Sequence, residues 1–403
     1  MEKQKNIPQL RFHEFEGEWK KTALSEVGEN IIGLTYSPKD VNEEGILVLR
    51  SSNINEDALE LNDQVRVKTN ISEKLIIKKR DILICTRNGS QRLIGKNVII
   101  QDDTTKMTFG AFMSVFRSEM NSFIVHLMKT EWYNKQINMN LGARINQITT
   151  GQLNRFWFYF PAIPEQQKIA SFFTAIDQKI FQLKRKKTLL EEYKKGVMQK
   201  IFSQEIRFKD DNGQEFPKWE KKRLGELTYK TGKKNKGSTP YPIYSINNRE
   251  GFLPQGDQFE GVDSNSRGYD ISLYKIIEEK TFAYNPARIN VGSIGFSGDL
   301  KDIIISSLYV CFKTKQGVED AYLLHYLKTF QFNKSVLQNV EGGVRDYLFY
   351  ENFSNIKINL PSNKEQVKIA NFLSAIDDKI NHTQKQVEKA EVWKKGLMQQ
   401  MFV

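Results

Sequence analysis

Apolar residues recur every seventh position from Ile169 onward: Ile169, Ile176, Leu183, Leu190 and Val197 form one row, with Phe173, Ile180 and Ile201 on the adjoining one. The intervening residues are mostly polar and lack proline, the pattern of a helix that packs lengthwise along another helix. Pro164 stands where a helix start tolerates proline, so the spacing predicts one helix from Glu165 to Phe202. At roughly 1.5 Å per residue such a helix reaches about 57 Å, too long to lie inside one small domain. The pattern returns after Pro361, Ser362 and Asn363, with Ile369, Ile376 and Leu397 on the main row and Leu373, Ile380, Val387 and Met401 beside them. Thr383 and Ala390 interrupt that row, so the second seam is expected to be weaker in its middle.

The two helices are copies. Glu165 to Ile180 falls onto Glu365 to Ile380 with eleven of sixteen positions identical, and KKGVMQKIF ending at Phe202 falls onto KKGLMQQMF ending at Phe402. The same offset carries Trp19, Leu24 and Glu26 onto Trp219, Leu224 and Glu226, whereas residues 30–140 and 230–340 match only in fragments. A duplicated frame therefore surrounds two unlike inserts. Each seam needs an apolar partner, and within the chain the other copy supplies it; a duplicated unit packs about a pseudo-twofold axis, which makes the pair antiparallel. The expected fold is α+β: two mixed, strand-rich globular domains separated by two long antiparallel helices that form an intramolecular coiled coil. The expected boundaries are 1–160 and 204–360 for the globular domains and 161–203 and 361–403 for the helices. A stripe of this kind also serves core packing or pairing with a second chain.

The inserts hold short β-type runs broken by Gly, Asn and Ser, among them ILVLRSSNI (46–54), KRDILICTRNGSQRLIGKNVII (79–100) and YPIYSINNREGF (241–252), with helix toward the end, as in SFIVHLMKTEWYNKQI (122–137). Side chains able to address base edges gather where these runs end. In the first insert they are Ser51, Ser52, Asn53, Arg87, Asn88, Gln91, Arg92, Arg144, Asn146 and Gln147; in the second, Ser245, Asn247, Asn248, Arg249, Tyr284, Asn285, Arg288, Asn290, Arg345 and Tyr347. Arginine can meet guanine, and asparagine or glutamine adenine, through two hydrogen bonds at once. The same residue types also build ordinary turns. Arg87 and Arg288 stand out because each follows an apolar run and precedes a glycine-containing turn and an Ile-Gly pair, at Ile94 and Ile294.

Composition supports a polyanionic partner: a net charge of +12 and a pI near 9.3 favour nucleic acid. Cys85 and Cys311 lie in apolar runs and read as buried, reduced thiols; with no signal peptide and no long apolar span, the expected location is the cytoplasm. Catalytic motifs fail one by one. GSQRLIGKN (89–97) has five residues between its glycines and Asn97 where a phosphate loop needs Ser or Thr, and Tyr284 to Ala287 is half of an adenine-methyltransferase signature. His13, His126, His325 and His382 show no metal-ligand spacing, so no metal site is expected. A free-standing nuclease or methyltransferase and a protein-only coiled-coil adaptor remain as alternatives.

The doubled helix motif, the KKGxMQxxF endings, the Trp-x4-Leu-x-Glu openings and the insert pattern of DILIC strand and arginine-bearing turn resemble the specificity subunits of type I restriction-modification systems, over essentially the whole chain. Tyr36, in GLTYSPKD, departs from the family's usual Gly-x-Thr-Pro-Ser stretch. The resemblance implies two target-recognition domains, each reading half of an interrupted double-stranded DNA site, with the helices as spacer and as docking surface for two methyltransferase subunits. It implies a non-catalytic subunit with no cofactor of its own: S-adenosylmethionine, ATP and Mg would be held by methyltransferase and restriction/translocase subunits.

Overall fold

The computed structural model describes residues 6–55, 58–142, 146–248, 250–258, 261, 263–264, 266–340 and 347–403. They divide into two units, residues 1–184 with 385–403, and residues 185–384. Each unit joins one insert to the first part of its own long helix and the last part of the other.

In the first unit, strand Ile82–Cys85 lies inside a four-stranded antiparallel sheet, between Met113–Arg117, which also pairs with Glu29–Ile32, and Asn97–Ile99. All four of its residues are buried. Side chains alternate across a strand, so Ile82 and Ile84 enter the core shared with the helices while Leu83 and Cys85 enter a second core beneath a smaller sheet. A strand covered on both faces is continuously apolar, which is why DILIC does not alternate. The smaller sheet pairs Val41–Leu49 with Val65–Val67 and, in parallel, with Met107–Phe109.

The second unit repeats this plan with a different sequence. Its four-stranded sheet runs Thr228–Thr231, Val310–Thr314, Phe282–Tyr284, Ile294–Phe296, and its other sheet again contains a parallel pair, Ile243–Asn247 with Ile303–Ile305. The inserts whose sequences scarcely align therefore share the strand order of the larger sheet and the parallel pair, while the other sheet has three strands in the first unit and four in the second. Each closes with an antiparallel ribbon, Lys20–Ala23 on Trp157–Phe160 and Glu220–Arg223 on Lys357–Leu360, in registers offset by the repeat length. The apolar stretch at 122–137 is not one helix: Asn121–Leu127 ends before Thr130, whose hydroxyl caps a second helix, Glu131–Asn140, and Thr329 likewise caps Phe330–Asn339.

The long helices run Ile163–Phe202 and Asn363–Met401. Within the first unit Asp177 pairs with Lys394 at 2.6 Å, Lys184 with Glu391 at 2.8 Å, and the rings of Phe173 and Phe402 lie 5.6 Å apart, so the segments are antiparallel. Within the second, Lys194 pairs with Asp377 at 2.5 Å, the same contact written again. Ile169, Phe173, Ile176, Ile180 and Leu183 are buried, as are Ile369, Leu373, Ile376 and Val387; Leu190, Val197, Ile380 and Leu397 are half-buried. Thr383 does not leave a hole in the row, because it is buried and its hydroxyl donates to Lys379 O on its own helix at 2.8 Å. Buried glutamates fix the start of each helix: Arg11 holds Glu165 through Nε and Nη2 at 2.8 and 2.7 Å, and Arg207 holds Glu365 at 3.2 and 2.7 Å.

His325, buried beside the helix, has Nε2 at 3.3 Å from Ser374 Oγ and Nδ1 at 4.0 Å from Asp377 Oδ2. Burial first, then the positive charges of Lys194 and Lys328, push its pKa down to about 4 against the opposing pull of Asp377. The unfolded chain takes up the proton near the ordinary value of 6.5, so this contribution is whole above that pH and is lost as pH falls toward 4. The second unit should lose up to about 1.4 kcal/mol per pH unit in that window, and His325→Gln should flatten the slope. Equal slopes for both proteins, measured by hydrogen exchange in the second unit, would refute it.

Among the described residues no helix is long and apolar enough to cross a membrane, and no group of three or more His, Cys, Asp or Glu is placed to hold a metal ion.

Candidate nucleic-acid interface

In the first unit the turn after Ile82–Cys85 gathers most of the expected polar residues. Arg87 bridges to Gln147 in antiparallel fashion, Ile148 N donates to Thr86 O at 2.8 Å, and Asn88 N donates to Asn146 O at 3.2 Å. Asn88 Nδ2 donates to Ser51 Oγ and Asn146 Nδ2 to Gly89 O, both at 3.0 Å, which ties three loops into one surface. Arg87, Gln91 and Arg92 project from it exposed. Ser52 belongs to a neighbouring cluster: its hydroxyl donates to Asp63 at 2.8 Å and, with Arg50, holds that carboxyl below its usual range.

The second unit forms a looser counterpart. Leu348 N donates to Pro286 O at 3.1 Å, the equivalent of the Ile148 bond, and brings Tyr347 beside the turn after Phe282–Tyr284. Arg288, Asn290 and Asn248 are exposed there, Asn247 accepts from Glu250 N at 2.6 Å, and Tyr347 stacks on Phe349 with ring centroids 5.7 Å apart. Asn285 accepts from Ala287 N and shapes the turn.

Three expected positions are interior. Asn53 is wholly buried, its Oδ1 accepting from Arg50 N and its Nδ2 donating to Glu60 O and Asp63 O, so its amide is spent on the turn. Ser245 is buried and bonded to Gln258. Tyr284 is fully buried against Phe312 and Phe353, and burial raises its hydroxyl well above the usual tyrosine range. Strand alternation explains Tyr284: like Ile84, it lies in a central strand on the face that looks toward the helices. Arg144, Arg249 and Arg345 lie outside the described residues. Burial likewise pushes both thiols, Cys85 and Cys311, up to about 11.

One residue of this surface carries no polar signal in the sequence. Phe112 is 56% exposed, and the Arg87 guanidinium carbon lies 5.0 Å from its ring centroid.

Comparison with known proteins follows the same doubling. A family model described as type I restriction modification DNA specificity domain matches residues 16–192 and again 217–391. The chain is 26% identical to a Methanocaldococcus jannaschii protein described as the MjaX specificity subunit of a type I restriction enzyme, over 98% of this chain and 95% of that one. Its fold is similar to that of the S subunit of a type I restriction-modification system from M. genitalium, with a TM-score of 0.61 at 15% identity over 98% and 99% of the two chains. It is also similar to a chain solved in work on complex assembly and conformational transition of the type I R-M system, with a TM-score of 0.54 at 14% identity over 94% and 96%.

Proposed function

The chain belongs to the type I restriction-modification DNA specificity family, and from that premise we propose that it is the sequence-reading subunit of a restriction-modification complex. Each unit reads one half of an interrupted double-stranded DNA site. Catalysis belongs to partners: two methyltransferase subunits dock on the helices, and restriction/translocase subunits join them. The observation that carries this reading is the doubled architecture, one larger-sheet strand order built from two unlike sequences, each with a central strand leading into an exposed turn with an arginine and asparagines.

In the first half-site Arg87, Asn88, Gln91, Arg92, Asn146 and Ser51 are the proposed base contacts; in the second, Asn247, Asn248, Arg288, Asn290 and Tyr347. Arg144 and Arg345 keep their proposed role from the sequence alone. Asn53, Ser245 and Tyr284 are assigned to support. The surplus of basic residues meets phosphates, which positions the protein without reading sequence.

Arg87→Ala should relax one position of the first half-site, at a cost of about 1 to 3 kcal/mol in discrimination, and leave the second half-site intact. Sequencing of methylated adenines in cells carrying the variant checks this; an equal loss at both halves would contradict the division of labour. The subunit reading is tested by incubating the purified chain with DNA and labelled S-adenosylmethionine, where methyl transfer should require added methyltransferase subunit. DNA binding by the assembled complex should fall steeply with salt, as phosphate neutralisation demands and a protein-only adaptor does not.

A further inference from the structure

Four arginines, Arg11, Arg50, Arg117 and Arg207, each end on a carboxylate 2.5 to 2.7 Å away. Among the described residues Arg87 pairs with no carboxylate and lies over an aromatic ring instead. An ion pair occupies guanidinium N–H groups, whereas a ring beneath the plane orients the cation and occupies none of them.

The backbone beneath the ring is held firmly. Phe112 O accepts three hydrogen bonds of 3.0 Å, from Thr86 N, Arg87 N and Thr86 Oγ1, so the turn that carries Arg87 and the backbone that carries the ring are clamped together. Phe112 belongs to neither hydrophobic core of its unit. Its neighbour Met113 is buried at the start of Met113–Arg117, so the strand is anchored without the ring. The strand registers, Ser114 opposite Ile84 and Val310 opposite Tyr284, put Leu308 at the corresponding position in the second unit, where it is exposed but aliphatic. An aromatic ring at this exposed position is a property of the first unit.

We infer that Phe112 is a specificity-determining positioning residue, whose ring holds the Arg87 guanidinium edge-outward so that it meets both acceptors of a single guanine. This rests on the assignment of Arg87 as a base contact. A guanidinium free to swing satisfies a phosphate as readily as a base; one whose plane is fixed presents the parallel pair of donors that guanine O6 and N7 require.

The test uses the subunit assembled with its methyltransferase partners, and DNA duplexes carrying each of the four bases at every position of the site it methylates. Initial methylation rates are compared for wild type, Arg87→Ala, Phe112→Ala, Phe112→Tyr and the double alanine variant. Phe112→Ala should lower discrimination roughly two- to fivefold at the position that Arg87→Ala relaxes and nowhere else. Phe112→Tyr should retain discrimination, and the double variant should be no worse than Arg87→Ala. A uniform loss at all positions marks a merely structural ring, and relaxation at another position marks a separate contact; either overturns the inference. If Arg87→Ala relaxes a position and Phe112→Ala does not, the inference falls alone. If Arg87→Ala relaxes none, the assignment of Arg87 falls and takes the inference with it.

Discussion

Four residues inserted after Leu183, matched by four after Thr383, lengthen the unread gap of the DNA site by roughly one to two base pairs, at about 1.5 Å of helix per residue and 3.4 Å of duplex per base pair. Both half-sites stay as they were. The chain passes from one unit to the other along Ile163–Phe202, 40 residues of unbroken helix, and returns along Asn363–Met401. Lengthening both by the same turn keeps the paired rows together, since a four-residue insertion is a stutter that two packed helices absorb by local unwinding. The turns that carry Arg87 and Arg288 lie far along the chain from either insertion point, so what each unit reads is untouched. The methylated motif, sequenced from cells, gives gap and half-sites together. An unchanged gap would mean that the helices do not set it; a changed half-site would mean that they take part in reading.

The largest effect on stability is expected from Glu365→Ala. Glu365 is fully buried, takes two hydrogen bonds from Arg207 and a third from Trp219 Nε1 at 3.0 Å. Removing one partner of a buried pair leaves the other charge without compensation and costs about 3 to 5 kcal/mol. The loss should appear as faster hydrogen exchange in Phe282–Tyr284 and the ribbon Glu220–Arg223, because a chain of two units does not unfold in one step. Replacing both partners, as Arg207→Met with Glu365→Leu, should recover much of it. Glu165→Ala should cost less than Glu365→Ala by roughly 1.5 kcal/mol, one hydrogen bond to a charged group, because Trp19 Nε1 is buried with no hydrogen-bond partner among the described residues. Equal costs in the two units would show that the Trp219 bond adds nothing.

The helices were the most legible part of the sequence, because a seven-residue row sustained over five positions admits few other readings, and duplication marked their antiparallel partners. Thr383 and Ala390 made the second seam look broken, yet a threonine that turns its hydroxyl back on its own helix fills the space of a small apolar residue. The common topology of the inserts was not legible. It resides in strand order and in backbone bonds such as Ile148 to Thr86 and Leu348 to Pro286, which leave no residue-type signature. Among the candidate side chains, exposure separated Arg87 and Arg288, beyond the ends of their strands, from Tyr284, still inside one. Asn53 was misleading because asparagine at a turn is as apt to brace the backbone as to face a ligand. Phe112 was invisible because exposed aromatics and core aromatics look alike in a linear sequence.

The first unit is closed by Met398, Met401 and Phe402, packed on Trp19, Phe123 and Phe173. A ribosome delivers those three residues only after both inserts. The insert made first must therefore wait, its core covered by Ile169, Phe173, Ile176 and Ile180 of its own helix but open where the second helix packs, through the synthesis of everything between, while the second unit receives all of its own segments earlier. The amino-terminal half of this protein is the half completed last, and during translation it is the one in need of a chaperone's cover.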